Sequence, residues 1–173
     1  MFYKDIRGYI IYPDFFSIAG LIFGIISIFS SLRGNIEIAA VCIVIAAVFD
    51  FFDGKVARYM KRKGRFGVEL DNLCDVTIYL IAVSLFGYMV GLNSIIAMVV
   101  FTLFIVSGVL RLARFAIIGT TNGYYEGLPV SHAFITPIAY FVLISLNIDK
   151  IHLLWFYFIP AILMISIIKV KKP

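Results

Sequence analysis

The stretch from Asp50 to Asp75 reads DFFDGKVARYMKRKGRFGVELDNLCD, and its spacing decides how this part of the chain folds. Asp50 and Asp53 stand three residues apart, and Asp71 and Asp75 stand four apart. Residues at these separations lie on one face of an α-helix, because the helix turns once about every 3.6 residues. The spacing therefore predicts two neighbouring helices that bring four carboxylates together.

Four facing carboxylates indicate a metal centre, because like charges at close range repel one another unless a cation lies between them. Ligands that are all oxygen suit the hard ions Mg²⁺ or Mn²⁺ rather than Zn²⁺, which prefers His and Cys. Gly54 and Ala57 leave the same helix face bare, so that a ligand can approach the backbone there. Arg58 follows, and its planar fork of donors suits a phosphate group. The stretch is therefore predicted to bind a divalent ion beside a phosphate.

The same positions resemble a known family. The pattern D-x-x-D-G-x-x-A-R, eight residues, then G-x-x-x-D-x-x-x-D is similar to the signature of the CDP-alcohol phosphotransferases, and it fits without a gap. The matching residues are Asp50, Asp53, Gly54, Ala57, Arg58, Gly67, Asp71 and Asp75. Upstream, PDFFS at 13–17 resembles a variant of the family's P-N-x-x-T. Asp14 and Ser17 are the substituted positions there, and they receive no assigned role.

The resemblance implies an enzyme that uses a CDP-activated lipid, CDP-diacylglycerol or CDP-archaeol. It implies that the four aspartates hold one or two Mg²⁺ or Mn²⁺ ions on the diphosphate. Asp75 would also be the catalytic base that takes the proton from the attacking hydroxyl, and CMP would leave. The family further suggests a homodimer. The residues that the resemblance assigns to the CDP-lipid are Gly54, Ala57, Arg58, Gly64 and Gly67.

A second resemblance concerns the acceptor alcohol, because RLARF at 111–115 and EGLP at 126–129 are similar to the serine-using branch of the family. Arg111 and Arg114 share a helix face, and arginine can hold a carboxylate through two parallel hydrogen bonds. With Glu126 for the ammonium group, they are predicted to bind L-serine. Two alternatives stay open. The arginines could anchor the helix end at the membrane surface, or the acceptor could be glycerol 3-phosphate or inositol phosphate.

Composition places the chain in a membrane. Of its 173 residues, 62% are hydrophobic and 14% charged, with a mean hydropathy of +1.04, whereas soluble domains are about 25% charged. A crossing needs about 20 residues, so at most six fit. We predict an all-α integral membrane protein: residues 14–173 form one bundle of six transmembrane helices, and residues 1–13 a short interfacial amphipathic helix. The crossings are expected at about 15–32, 36–59, 66–90, 94–118, 132–146 and 153–168, with His132 as a helix-start or interface residue rather than a catalyst.

The distribution of Lys and Arg predicts the orientation. If both termini are cytoplasmic, that side collects thirteen of the fifteen Lys and Arg, and only Arg33 and Lys150 lie opposite, in agreement with the positive-inside rule. The active site is then cytoplasmic in a multi-pass protein of the cell membrane. The net charge of +5 follows from this topology rather than from nucleic-acid binding. A divalent-cation transporter is the alternative from another class, and it would place ionisable residues deep in the bilayer on several helices.

Overall fold

A computed structural model describes residues 12–59, 65–118 and 124–171, and it is helical almost throughout. The helices are α1 (Tyr12–Leu32), α2 (Ile36–Tyr59), α3 (Arg65–Asp75), a π-helix (Val76–Ala82), α4 (Val83–Met89), α5 (Ile95–Ile118), a 3-10 helix (Val130–Phe134), α6 (Ile135–Ser145), a second 3-10 helix (Lys150–Leu154) and α7 (Trp155–Ile165). Two three-residue strands, β1 (Tyr124–Glu126) and β2 (Lys169–Lys171), pair antiparallel. The helical fold class is confirmed, and this short ladder is a detail that the sequence did not indicate.

Within the described residues, three helices are long and apolar enough to cross a bilayer: Tyr12–Leu32, Phe66–Met89 and Ile95–Ile117. They correspond to the predicted first, third and fourth crossings. α2 has 24 residues, but Glu37, Asp50 and Asp53 interrupt its apolar run. The last two predicted crossings correspond to shorter apolar helices, Val130–Ser145 and Lys150–Ile165. The full set of six crossings therefore stays a prediction.

α1 begins at Tyr12, earlier than the predicted start near Phe15. Pro13 lies in its first turn, where a proline is tolerated because the missing N–H would have no helical partner. The predicted interfacial helix covers residues 1–13, of which residues 1–11 lie outside the described part of the chain. The two remaining residues of that segment belong to α1.

α1 packs along α2 through a stripe of small residues. At Gly20 an added Cβ would lie 3.3 Å from the Ala46 carbonyl oxygen, so the two backbones run close together. Ser27 Oγ donates a hydrogen bond to the Ala39 carbonyl at 2.9 Å. Small side chains permit this close approach, which drives helix association in a lipid environment. The buried small positions of α1 are Ser17, Gly20, Gly24, Ser27 and Ser31.

The predicted third crossing is one continuous run of α3, the π-helix and α4. The π-helix begins at Val76, directly after Asp75. Its wider turn rotates the side chains that follow, relative to an unbroken α-helix. Ile78 of this segment packs against Gly24 of α1, where an added Cβ would lie 2.8 Å from Ile78 Cγ1. Widened turns of this kind are frequent at functional sites, and this one adjoins the acidic stripe.

Around an apolar core, the bundle exposes many large apolar side chains on its outer surface and buries several polar ones. Phe15, Ile22 and Ile95 are 61%, 52% and 81% exposed. A large apolar outer surface is unfavourable in water and matches the hydrocarbon of a bilayer. The buried polar and charged residues are Asp14, Ser17, Ser27, Ser31, Asp53, Ser84, Ser107, Arg111 and Thr136.

Candidate active site

Three of the four predicted aspartates converge. Asp50 lies in the C-terminal half of α2, and Asp71 and Asp75 lie along α3. One carboxylate oxygen from each comes within 4.8 Å of the others, and each residue is half-buried. The four-residue step stacks Asp71 and Asp75 on one face of α3. The arrangement predicted from spacing is therefore present for these three residues.

Asp53 lies one turn further along α2 and makes a different contact. Its Oδ2 accepts a hydrogen bond from Ser17 Oγ of α1, and its side chain is 2% exposed. Among the described residues, the group of converging oxygens includes Asp50 but not Asp53. The assignment of Asp53 as a fourth metal ligand thus stays a prediction, and Ser17 gains a structural role as its hydrogen-bond donor.

Tyr79 is a residue of the site that the sequence did not single out. Its hydroxyl donates a hydrogen bond of 2.8 Å to Asp50 Oδ2, and the side chain is fully buried. The signal was present in the sequence, because Gly67, Asp71, Asp75 and Tyr79 follow one another at steps of four. From the sequence alone, a buried tyrosine cannot be told from an ordinary core residue, because the acceptor of its hydroxyl is not known.

Asp14 occupies the space in front of Gly67. The Asp14 side chain is 5% exposed, and a Cβ added to Gly67 would lie only 2.6 Å from Asp14 Oδ1. A glycine is therefore required here for the close approach of α1 to α3. The resemblance assigned Gly67 to the CDP-lipid, and the structure adds a packing reason for the same residue.

The other residues assigned to the CDP-lipid follow Asp53 in the chain. Gly54 is half-buried in α2, and Ala57 and Arg58 lie in the last turn of that helix. Gly64 lies outside the described residues. The assignment of these four residues to the CDP-lipid stays a prediction.

Arg111 lies near the C-terminal end of α5 and is 7% exposed. Its guanidinium carbon is 5.5 Å from the centroid of the Phe115 ring, within the range of a cation–π interaction. An arginine that anchors a helix at the membrane surface extends toward water, so the anchoring alternative does not fit Arg111. Glu126, the predicted ammonium ligand, belongs to β1, and its role stays a prediction.

Arg114 contacts the end of α7. Its Nη2 donates to the carbonyls of Met164 and Ser166 at 3.2 Å each, and its Nη1 to that of Ile165 at 3.5 Å. The last carbonyls of a helix have no partner within the helix, so a cationic donor stabilises them. The sequence predicted serine binding for Arg114, and the structure gives it this additional contact.

The G-L-P segment meets the same helix end. Gly127 has φ of +77°, and its N–H donates to the Ile168 carbonyl at 2.9 Å. A Cβ at Gly127 would overlap the Met164 carbonyl and approach Arg114 Nη2 at 2.8 Å. The fragments RLARF and GLP, which the sequence paired only by resemblance, are thus joined in space through α7.

The cluster of three carboxylates fits a hard divalent ion. Two oxygens bound to one divalent ion lie at most about 4–5 Å apart at ordinary coordination distances, and the three carboxylate oxygens all lie within 4.8 Å of one another. The donors are all oxygen, as these ions prefer.

His132 is exposed, with Nδ1 3.3 Å from the Pro129 carbonyl oxygen at the start of a 3-10 helix, as expected of a helix-start residue.

Together these features define a class: a helical membrane protein with an acidic cluster suited to a divalent cation. The family model for CDP-alcohol phosphatidyltransferase matches residues 10–169. The chain therefore belongs to the CDP-alcohol phosphatidyltransferase family, and the resemblance drawn from the sequence is confirmed.

The chain is also similar to proteins named for serine transfer. It is 35% identical over 127 residues to CDP-diacylglycerol–serine O-phosphatidyltransferase of Helicobacter pylori, covering 71% of this chain and 54% of that protein. It is 30% identical over 145 residues to archaetidylserine synthase of Methanothermobacter thermautotrophicus, covering 80% and 61%. The CDP-diacylglycerol–serine O-phosphatidyltransferase of Bacillus subtilis is 31% identical over 123 residues, with 70% of each chain covered. The chain thus spans between half and two thirds of the length of the first two relatives.

Proposed function

We propose that the chain is an enzyme of phospholipid biosynthesis that transfers a phosphatidyl or archaetidyl group from a CDP-activated lipid to the hydroxyl of L-serine, with release of CMP. The observation that carries the proposal is the convergence of Asp50, Asp71 and Asp75, whose carboxylate oxygens lie within 4.8 Å of one another. The names of the relatives support serine as the acceptor. They also support either a diacylglycerol or an archaeol lipid.

The aspartates are proposed to hold Mg²⁺ or Mn²⁺ at the diphosphate of the CDP-lipid. Such an ion neutralises charge on the phosphoryl group and stabilises the oxygen of the leaving CMP. The proposed ligands are the three converging aspartates, Asp50, Asp71 and Asp75, with Asp53 as a fourth. Asp53 accepts a hydrogen bond from Ser17, so its contribution to metal binding requires a direct test.

Asp75 is proposed as the catalytic base. Its carboxylate accepts the proton of the serine hydroxyl while the serine oxygen forms a bond to the lipid-side phosphorus. The bond between that phosphorus and the CMP oxygen breaks in the same displacement. A carboxylate is a weak base for an alcohol, so the proton transfers late, after negative charge has moved toward the leaving group.

Small residues beside the aspartates are proposed to admit the nucleotide. Gly54 is half-buried in α2, and with Ala57 it would let the cytidine approach the helix backbone. Gly67 would serve the same site by letting α1 lie close to α3. Arg58 and Gly64 complete this set, with Arg58 bound to phosphate oxygen. Asp14, which fills the space in front of Gly67, would form one wall of the nucleotide site.

The serine carboxylate is proposed to bind Arg111 and Arg114, and its ammonium group Glu126. Arg111 is buried, which supports this assignment, because ionisable residues inside a membrane protein mark functional sites. Arg114 donates to the Met164 carbonyl of α7, and Gly127, directly after Glu126, donates to the carbonyl of Ile168, which follows α7. This pocket would form where the ends of α5 and α7 meet.

We further propose that the chain crosses the cell membrane six times, with both termini and the active site cytoplasmic, and that it forms a homodimer. α2 has the length of a crossing, and its acidic residues near the C-terminal end belong to the site. Lys150 is one of the two basic residues that this orientation places on the opposite side. It donates a hydrogen bond to the Val90 carbonyl at 2.9 Å and so stabilises the end of α4. Cysteine labelling at Arg33 and at Lys55 tests the orientation, since the two positions should label from opposite sides.

The experiment that tests the reaction uses the purified chain in nanodiscs containing CDP-diacylglycerol or CDP-archaeol. Radiolabelled L-serine, glycerol 3-phosphate and inositol phosphate are supplied separately, and lipid product and CMP are both measured. We expect product from serine alone, with Mg²⁺ or Mn²⁺ required and EDTA reducing the rate to background. Product from another acceptor alone would replace serine in the proposal.

A pair of variants links this activity to the cluster. Asp71→Asn should abolish transfer, because it removes one of the three converging carboxylates. Glu69→Gln is the matched control: it removes an exposed carboxylate two residues away on the same helix, and it should keep the wild-type rate. Equal rates in the two variants would exclude the cluster as the active site, and Mn²⁺ uptake into liposomes without CMP release would favour a transporter.

A further inference from the structure

Tyr79 connects two separate parts of the site. It lies in the π-helix that begins directly after Asp75, and its hydroxyl donates at 2.8 Å to Oδ2 of Asp50 on α2. The two residues stand 29 positions apart in sequence. The Tyr79 side chain is fully buried, so the direction of its hydroxyl is fixed by the packing of the bundle.

Tyr157 provides a comparison for this contact. Tyr157 is also fully buried, and its hydroxyl donates to the backbone carbonyl of Val83 at 2.8 Å. A backbone carbonyl therefore suffices for a tyrosine in this core. Tyr79 bonds instead to a carboxylate that has two further carboxylates, those of Asp71 and Asp75, within 4.8 Å.

A hydrogen bond of this kind has a definite effect on a group of like charges. The three carboxylates repel one another, and the repulsion favours side-chain rotamers that move Asp50 away from α3. A fixed donor on one oxygen of Asp50 restricts its rotation and compensates part of its charge. Partners that bond to metal ligands orient them in this way, and their loss typically weakens metal binding.

We infer that Tyr79 is a positioning residue that holds Asp50 in the orientation required for binding a divalent cation together with Asp71 and Asp75. The inference rests on the metal centre of the proposed function. The π-helix contributes to it, because its wider turn sets the direction in which Tyr79 leaves the helix after Asp75. Tyr79 acts through Asp50, and no contact of its own with the lipid or the acceptor is required.

The test measures binding of Mn²⁺ alone to the full chain in nanodiscs, from the electron paramagnetic resonance signal of free Mn²⁺. Tyr79→Phe removes the hydroxyl and keeps the ring. Tyr157→Phe is the matched control, because it removes an equally buried hydroxyl with an equally short hydrogen bond outside the acidic cluster. We expect the Mn²⁺ Kd to rise about tenfold or more in Tyr79→Phe and to stay within about twofold of wild type in Tyr157→Phe.

A second comparison separates positioning from a general effect on the fold. In an Asp50→Asn background, Tyr79→Phe should not weaken the remaining Mn²⁺ binding further, since its effect passes through the Asp50 carboxylate. A further loss there, or equal Kd values in Tyr79→Phe and Tyr157→Phe, would overturn the inference. So would a Tyr79→Phe protein that does not fold while Tyr157→Phe does. Absence of saturable Mn²⁺ binding in the wild type would instead overturn the metal centre, and the inference with it.

Discussion

Gly67→Ala tests whether the contact between α1 and α3 shapes the site. The added Cβ would lie 2.6 Å from Asp14 Oδ1 and 3.5 Å from Asp14 Cγ, whereas unstrained contacts of carbon with oxygen begin near about 3.3 Å. The carboxylate of Asp14 must therefore move by roughly 0.7 Å. The Asp14 side chain is short and only 5% exposed, so it has little room to move. Overpacking of this kind costs about 1–3 kcal/mol of stability.

The control for this prediction is Gly20→Ala in α1. Both substitutions replace a helical glycine and gain about 1 kcal/mol of helix propensity, so this gain cancels in the comparison. The Cβ at Gly20 would meet its nearest neighbour, the Ala46 carbonyl oxygen, at 3.3 Å, a tight contact that a shift of a few tenths of an ångström relieves. Gly67→Ala should therefore be less stable than Gly20→Ala by about 1–3 kcal/mol.

The assay is thermal unfolding of the purified variants in one detergent, where about 1 kcal/mol corresponds to a shift of about 2–4 °C for a chain of this size. Asp14→Ala should relieve the clash, so that Gly67→Ala becomes neutral or stabilising in that background. Equal midpoints for Gly67→Ala and Gly20→Ala would refute the packing argument. If Asp14→Ala restores stability but not serine transfer, Gly67 is needed for the nucleotide as well.

Two further predictions concern the chemistry. Asp75→Asn should lower the rate of serine transfer about 10²–10⁴-fold, the usual contribution of a general base, while retaining CDP-diacylglycerol binding better than Asp53→Asn does. A wild-type rate in Asp75→Asn would show that the base is another group. Arg111→Ala should raise the KM for serine about tenfold or more, because a hydrogen-bonded charge contributes about 1.5–3 kcal/mol, and leave the KM for CDP-diacylglycerol unchanged. Arg114→Ala should also raise the KM for serine. In addition it should lower the thermal midpoint, since the carbonyls at the end of α7 lose their donors. An unchanged serine KM in both variants would remove the acceptor pocket.

Local spacing was sufficient to predict the long helices and most of the acidic cluster. The predicted second crossing, 36–59, agrees with α2, and the predicted fourth, 94–118, differs from α5 by one residue. Asp71 and Asp75 had to share a face once α3 was a helix, because that relation depends only on the helical period. Asp50 lies beside them because α1 packs against both α2 and α3 and so brings the two acidic helices together.

Contacts between distant residues could not be predicted in the same way. The bond from Ser17 to Asp53 joins residues 36 positions apart, and the contact from Arg114 to the Met164 carbonyl joins residues 50 apart. Each depends on which helices are neighbours, and the hydrophobic pattern of a membrane helix does not specify its neighbours. Arg114 illustrates the consequence, since its sequence context suggested a substrate contact and gave no sign of the nearby end of α7.

The packing of α1 gives a physical reason why the site depends on a helix that contributes no residue to the converging group. Small residues along α1 allow the backbones of α1 and α2 to approach closely, with an added Cβ at Gly20 only 3.3 Å from the Ala46 carbonyl oxygen. At this short separation the hydroxyl of Ser17 reaches Asp53, and from the same end of α1 the carboxylate of Asp14 reaches Gly67. A residue larger than alanine in the stripe would move α1 outward and withdraw both contacts together. The substituted positions of PDFFS are therefore better explained as supports for the two acidic helices than as isolated departures from the family pattern.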